Sequence, residues 1–444
     1  MNQFNRREFT RNAMVLTALS YSRILGANDR VRMGYIGLGN RGDQVHDAFL
    51  HHGDSQTSAV CDLRDDYLDF AVRKSKMSPK RYKDYRKLLE DKEVDAVVIA
   101  TPDHWHALMF IDACNAGKDV YVEKPLSLTV VEGRKMVETA ERTGKVVQVG
   151  IYRRSCPHLK QAAELVRSGG IGQVTVAKAH HIMNEWPVGI GNPSDGEPPN
   201  EWEWEQWLGP APRVPYNRNR MYYNFRWFYD YSGGQVTNFG VHYMDMIRWC
   251  LGKDSPHAVT ALGGKYAIGD NREIPDTLEV LWEFDNSTLV VFCQYNANSA
   301  PPNSKDSLIE LRGTKGTMYF NYDRWEVVPE AITQLPRFAL TPLDRKSEQA
   351  YGPSRHPLIK PASAGGSEET TMMARNFLDC VRSRAKCDCD ILNGHLSTSA
   401  TLIANIALKT KSLLEWDSRA ERFTNNETAN RLLHYEYRQP YKLA

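Results

Sequence analysis

The chain has 444 residues, 41% hydrophobic and 25% charged, which excludes extended disorder over most of its length and supplies apolar material for two ordinary domains. Its 56 lysines and arginines stand against 54 acids, so no positive excess marks it for nucleic acid or an anionic lipid surface; a small neutral partner suits it better. The 8 cysteines (Cys61, Cys114, Cys156, Cys250, Cys293, Cys380, Cys387, Cys389) show no CxxC pair and no histidine at finger spacing, so no metal is expected and Cys387-Asp388-Cys389 is read as inert.

In chain order, Asn5-Arg6-Arg7-Glu8-Phe9 is a twin-arginine pair, followed by an apolar stretch over 13–19 and a small-residue exit at Gly26-Ala27. Residues 1–28 therefore read as a twin-arginine export segment whose apolar stretch is too short to span a bilayer, and the expected location is the periplasm. Arg23 interrupts the apolar stretch and leaves an ordinary amphipathic leader as the alternative. Twin-arginine export carries folded proteins, so an enzyme using this route folds around its cofactor before leaving the cytoplasm.

Residues 29–150 alternate short apolar strands (32–36, 57–61, 96–100, 119–122, 146–149) with amphipathic helices (43–51, 106–116, 130–143), the pattern of a parallel sheet wrapped by helices. Gly117 and Gly144 are suitable C-caps for the last two helices. Beyond Gly150 the pattern predicts a helix over 157–168, a strand over 173–181 and a long Pro/Gly-rich loop over 186–215, a length usually reserved for function or disorder. Strands follow at 277–284, 288–295, 307–312 and 317–321, with turns at Asp285-Asn286 and 313–316. Residues 331–366 read as irregular, and 368–382 and 395–414 as helices returning to pack on earlier parts. The expected fold is an N-terminal doubly wound Rossmann domain followed, over 151–444, by a large, mostly antiparallel open sheet flanked by helices.

Gly37-Leu38-Gly39-Asn40-Arg41-Gly42 follows the first strand and opens a helix, which is where a dinucleotide-binding unit needs its glycines. Gly37 permits the tight turn, Gly39 lets the backbone approach a pyrophosphate and Gly42 allows close strand-helix packing, with Asn40 and Arg41 at the helix N-terminus. Asp62, at the end of the second strand, is spaced to accept the adenosine ribose hydroxyls; it would repel a 2′-phosphate, so NAD is favoured over NADP, although Arg64 suits the latter. Helix capping before Asp65-Asp66 is a second role open to Asp62. Thr101-Pro102-Asp103-His104-Trp105-His106 and Glu123-Lys124-Pro125 leave the C-terminal ends of their strands, where ligands sit in open α/β sheets. A buried lysine there, its ammonium form disfavoured, exchanges protons with a carbinol. His104 and His106 are open to cofactor contact or to a capping or solvent-facing role, and Glu123 is placed for cofactor contact, with a surface salt bridge as the alternative.

These motifs resemble the Gfo/Idh/MocA oxidoreductases, named for glucose-fructose oxidoreductase and inositol dehydrogenase. The resemblance covers essentially the whole chain and adds Gly233-Gly234-Gln235-Val236-Thr237-Asn238-Phe239-Gly240-Val241-His242-Tyr243-Met244-Asp245, which opens a helix in the second domain. It implies a sheet face over the nicotinamide, with Lys124 and His242 converging on the substrate carbinol as acid and base. Many members carry aspartate where this chain has Asn238, which cannot trade protons, so the proton work falls to Lys124 and His242, with Asn238 and Asp245 near His242 on its helix to hold substrate or orient the ring. A buried, satisfied histidine is the plainer reading of His242.

Trp202-Glu203-Trp204-Glu205-Gln206-Trp207-Leu208-Gly209-Pro210 and Phe225-Arg226-Trp227-Phe228-Tyr229-Asp230-Tyr231 look like stretches of exported, carbohydrate-acting branches of that family. Trp227 and Tyr231 are candidates for stacking on a sugar, with loop packing as the alternative, and Tyr152 and Arg153 lie where the domains join. The resulting expectation is reversible hydride transfer between a sugar or glycoside carbinol and tightly held NAD, in a homo-oligomer paired through its sheet face. Its rivals are a glycosidase working by transient oxidation, as in glycoside hydrolase family 109, which departs from this chain at the lysine motif, and a non-catalytic sugar or dinucleotide sensor.

Overall fold

A computed structural model of the chain describes residues 30–285, 287–333 and 355–443. The predicted export segment, and Asn286 of the predicted turn, lie outside the described residues.

The first sheet is built from β1 (Val31–Ile36), β2 (Ser55–Cys61), β3 (Lys80–Tyr82), β4 (Ala96–Ile99), β5 (Asp119–Val122) and β6 (Val147–Val149). Their order is β3-β2-β1-β4-β5-β6 with every pair parallel, the doubly wound arrangement whose strand order reverses between β1 and β4. Helices α1 (Asn40–Leu50), α2 (Asp65–Ser75), α3 (Tyr85–Leu89), α4 (Asp103–Asn115) and α5 (Val130–Thr143) connect the strands. Burial on both faces explains the unbroken apolar runs: every residue of β4 and β5 is buried. The start of α5 is fixed by a capping box between Thr129 and Glu132, and its end by Gly144 in the left-handed region.

The second lobe holds α6 (Pro157–Arg167), β7 (Val174–Ile182), α7 (Glu201–Leu208), α8 (Gln235–Asn238), α9 (Gly240–Leu251), β8 (Ala258–Gly264), β9 (Thr277–Phe284), β10 (Thr288–Tyr295), β11 (Ile309–Gly313), β12 (Gly316–Phe320), β13 (Arg324–Pro329), β14 (Ala331–Thr333), β15 (Arg355–Pro357), β16 (Ala362–Gly365), α10 (Thr370–Ser383), α11 (Ile391–Thr410), β17 (Leu414–Asp417), β18 (Arg422–Phe423) and α12 (Glu427–Asn430). Ten strands form one sheet in the order β16-β13-β12-β11-β7-β10-β9-β8-β17-β18, antiparallel except where β10 runs parallel to β7. In β9, Leu278, Val280, Trp282 and Phe284 are buried while the residues between them are not, the period-2 pattern of a sheet covered on one face.

The expected fold class is the one observed, with local differences. The loop predicted over 186–215 contains α7, which starts because the Asn200 side chain accepts from Glu203 N and whose inner face buries Trp204, Trp207 and Leu208. Of the stretch predicted irregular over 331–366, residues 334–354 lie outside the described residues, and the rest holds the β14–β15 pair and β16, which joins the main sheet beside β13. As expected, the late helices return to earlier parts. Helix α11 packs against α5 and α9, α10 packs on α1, and the Tyr437 hydroxyl donates to Glu132 of α5 at 2.5 Å.

Candidate active site

A cavity of about 360 Å³ runs along the C-terminal edge of the first sheet and is closed from the far side by the second lobe. Its floor is the β1–α1 turn. Gly37 sits at φ +86°, and a Cβ there would lie 2.6 Å from the Ala100 carbonyl oxygen; a Cβ on Gly42 would lie 2.0 Å from the Gly37 oxygen. Only glycine fits either position. The N-cap of α1 is Gly39, which offers no side-chain cap, so the first backbone N–H groups of the helix open toward the cavity lined by Gly39, Asn40 and Arg41. At the next strand end Asp62 is locked by two backbone donors, Leu38 N at 2.7 Å and Arg64 N at 3.0 Å, and burial raises its pKa. A glycine cradle, an uncapped helix N-terminus and a fixed carboxylate one strand away fit a dinucleotide's pyrophosphate and adenosine ribose.

Lys124 stands at the inner end of the cavity, at the exit of β5. Its Nζ donates to two oxygens of Asn238 in the second lobe, the side-chain Oδ1 at 2.7 Å and the backbone carbonyl at 3.0 Å. Burial brings its pKa down to about 8, despite the neighbouring Glu123 carboxylate, which raises it. Glu123 itself accepts from Arg41 Nε at 2.8 Å, so these two lining residues neutralise each other. Asp103, at the first turn of α4, also faces the cavity and accepts from the Ser232 hydroxyl of the second lobe at 2.5 Å. Arg226 lines the same end, its guanidinium 3.8 Å from the Tyr223 ring centroid and its Nε buried without a partner. At the opposite end Arg64 lies between Tyr67, at 4.2 Å, and Tyr222 of the second lobe, at 5.1 Å.

Residues 31–151 match the family described as "Oxidoreductase family, NAD-binding Rossmann fold", and residues 158–325 and 365–443 match its companion, "Oxidoreductase family, C-terminal alpha/beta domain". The chain belongs to the Gfo/Idh/MocA oxidoreductase family. Among curated relatives, this Gfo/Idh/MocA protein is 35% identical over 160 residues to glycosyl hydrolase family 109 protein 1 of Shewanella sp. strain ANA-3; the match spans 34% of this chain and 35% of that protein. Among solved structures, the WlbA dehydrogenase of Bordetella pertussis in complex with NADH and UDP-GlcNAcA has a TM-score of 0.62 at 17% identity, covering 87% of this chain and 99% of that one. The scyllo-inositol dehydrogenase of Lactobacillus casei has a TM-score of 0.59 at 18% identity, covering 87% and 98%. At those identities the likeness is one of fold.

Within this Gfo/Idh/MocA fold the residues singled out from the sequence divide into two groups. Gly37, Gly39, Asn40, Arg41, Asp62, Thr101, Pro102, Glu123, Lys124 and Asn238 line the cavity, with Gly42 packed directly beneath. The others lie behind it. His104 is fully buried with Nε2 against the Trp207 carbonyl at 2.9 Å, and burial drops its pKa to about 3, so it braces α4 against α7 instead of meeting a cofactor. His106 bridges the Thr101 and Pro125 carbonyls at 2.9 and 2.8 Å, tying together the two strand-end loops that carry Thr101 and Lys124. Trp227 and Tyr231, expected on the substrate, belong to the apolar cluster under α7: Trp227 stacks on Arg272 at 4.1 Å, and Tyr231 packs between His104 and Trp207.

Tyr152 donates to Glu368 at 2.8 Å, and Arg153 pairs with the same carboxylate at 3.1 Å, so both fasten the domain junction to the segment before α10. Asp245 takes a forked bond from Arg154 (2.8 and 3.0 Å) and another from Ser397 at 2.7 Å. It makes no hydrogen bond to His242, whose Nδ1 is buried without a partner, so Asp245 does not orient that ring. His242 packs on Tyr152 with ring centroids 5.0 Å apart and stands outside the cavity lining. Burial, with the Lys124, Arg153 and Arg41 cations, holds it well below the usual histidine range and therefore neutral. The spacing rules missed Asp103, although it sits in the Thr101-Pro102 motif, and Ser232, which no motif signals. Among the described residues no group of three or more His, Cys, Asp or Glu is placed to hold a metal ion, and no helix is long and apolar enough to cross a membrane.

Proposed function

We propose that the chain oxidises and reduces a carbinol of a sugar or glycoside, with Lys124 as the acid/base that serves the carbinol oxygen. The observation that carries this is the pinning of Lys124 Nζ by two Asn238 oxygens at the inner end of the dinucleotide cavity. Bound at the Gly37–Gly42 turn, NAD supplies the hydride acceptor for oxidation and the donor for reduction. Gly39 and the first turn of α1 hold the pyrophosphate, and Asp62 the adenosine ribose; its fixed carboxylate supports NAD over NADP. With its pKa near 8, Lys124 takes the hydroxyl proton as the amine and returns it as the ammonium within the working pH range. The second lobe lines this end with Tyr223, Phe225 and Arg226.

The twin-arginine pair Arg6-Arg7 supports export, and free NAD is scarce outside the cytoplasm, so on this reading the cofactor stays bound and is recycled by a second substrate. Purified protein is expected to carry dinucleotide absorbance or fluorescence and to convert members of a glycoside panel to keto-glycosides 2 Da lighter by mass. A preparation that binds NAD only weakly and leaves every glycoside unchanged defeats the proposal.

The match to family 109 hydrolases supports a second reading, in which oxidation is transient and the net reaction is glycoside cleavage. An aryl glycoside separates the two: phenol release without net NADH selects cleavage, and a keto-glycoside product selects dehydrogenation.

A further inference from the structure

Asp62, Asp84, Asp103, Glu123 and Glu203 line the cavity, and of these Asp84 caps a helix by accepting from Arg86 N at 3.0 Å. Asp62 is engaged by backbone amides and Glu123 by Arg41. Asp103 differs from both: it is 5% exposed, lines the cavity at the Lys124 end and has a neutral hydroxyl, Ser232, as its bonded side-chain partner. The bond also crosses between lobes, so the carboxyl is held at the place where the two meet. We propose that Asp103 is the second proton-transfer group of the site, taking the proton from the carbon next to a keto-sugar's carbonyl while Lys124 holds the carbonyl oxygen.

Lys124 is equipped for the complementary half. An ammonium has three donors; Asn238 takes two, and the third is left for a substrate oxygen. When the adjacent C–H bond breaks, its electron pair becomes the C=C bond of an enolate, the negative charge settles on the oxygen held by Lys124, and the proton rests on Asp103. Return of the proton restores the ketone. With a leaving group on the next carbon, the same electron pair expels it and Asp103 passes the proton to the departing oxygen. Atoms and charge balance without a further oxidant or reductant.

Two observations favour Asp103 over His242 for this task. Burial raises the Asp103 pKa and so strengthens it as a base, against His106, Ser232, Lys124 and Arg226, the groups facing it, which all act to lower it. His242 is held far below its usual range, a weak base that carries no proton to give, and it stands outside the lining. A carboxyl contributed by the first lobe thus stands in for the one that Asn238 lacks.

The inference rests on the dehydrogenase reading only for the origin of the ketone, so the test supplies the ketone. The cofactor-retaining protein is incubated with methyl 3-ketoglucoside in D2O, and deuterium next to the carbonyl is followed by NMR alongside NADH formation from the glycosides. Wild type is expected to incorporate deuterium, and Asp103→Asn to lose exchange by at least ~10-fold more than it loses NADH formation. Ser232→Ala, which removes a donor that favours the carboxylate, is expected to move the acidic limb of the exchange rate upward by about half to one pH unit. Exchange in Asp103→Asn at the wild-type rate, equal loss of both activities, an unmoved limb in Ser232→Ala, or no exchange in wild type each overturns the assignment. NADH formation by the same wild-type preparation would then leave the dehydrogenase reading standing.

Discussion

The two walls of the cavity are made differently. On the Rossmann side the shape is backbone: a turn that tolerates no Cβ at Gly37 or Gly42, an uncapped helix end, and a carboxylate fixed by two main-chain amides. On the second-lobe side the shape is side chain, with Asn238 on the one-turn helix α8, Arg226 and Tyr222 on a 3-10 helix (Tyr222–Trp227), and Ser232 on the segment between. The first wall recognises what every dinucleotide shares, a pyrophosphate and a ribose, and has little freedom to vary. On the proposed reading the second meets the substrate. Lys124 belongs to the first wall by sequence and to the second by its bonds, so it is where the two functions join.

Removing that joint should have the largest effect. Lys124→Ala is expected to lower kcat by roughly 10²–10⁴-fold, the usual span for a general acid/base, while the bound dinucleotide is retained. Single-turnover NADH fluorescence and a nucleotide assay on the same sample check it. Next in size is an attack on the backbone wall. In Gly37→Ala the new Cβ would meet the Ala100 carbonyl at 2.6 Å on a residue already at φ +86°. The left-handed backbone alone costs about 1–2 kcal/mol for a non-glycine residue. Calorimetric titration should show NAD binding weakened by at least ~10-fold, with a lower Tm.

The contrast also explains what the sequence could tell. The Rossmann order and the positions of Gly37, Gly42, Asp62 and Lys124 were legible because backbone constraints leave a spacing: glycines at fixed offsets, an acid one strand on, a lysine at a strand end. The second wall leaves none. Trp227 and Tyr231 looked like sugar-stacking rings, yet ring type does not say which way a side chain turns, and both went into the core under α7. Asp245 lies one helical turn beyond His242, but the buried Arg154 guanidinium competes for it and wins with a forked bond. Ser232 matters only because a residue 129 positions away is folded against it.

A subtler change sharpens the comparison by altering one atom group of the second wall. Asn238→Asp replaces the neutral acceptor at 2.7 Å from Lys124 Nζ with a carboxylate. An opposite charge at that range favours the ammonium and moves the lysine pKa up by about 1–3 units. The wild-type rate of carbinol oxidation should climb tenfold per pH unit until about pH 8, where the amine form of Lys124 becomes dominant, and then level. In the variant that levelling moves to higher pH, so oxidation at pH 7 slows, unless the new carboxylate takes the proton itself, in which case the limb vanishes. A pH profile of kcat/KM distinguishes the two outcomes.

The smallest effect is expected at the far end, where the walls touch through Tyr222. This residue is held at φ +50°, a left-handed conformation that costs a non-glycine residue about 1–2 kcal/mol, and its ring, like that of Tyr67, packs on the Arg64 guanidinium. Strain of that size at a contact between lobes needs a compensating role, and closure over the adenosine end supplies one: the ring packs on the Arg64 guanidinium, which also pairs with Asp66, at the edge of the cavity. Tyr222→Gly therefore separates the two terms. Relief of the strained backbone should offset the lost ring contact, worth about 0.5–1 kcal/mol at an exposed site, and leave Tm within a few degrees of wild type. NAD dissociation, followed by stopped-flow fluorescence, should meanwhile quicken by about two- to fivefold. A variant that loses Tm but keeps its dissociation rate would show that Tyr222 supports the fold of the second lobe and has no part in closing the first.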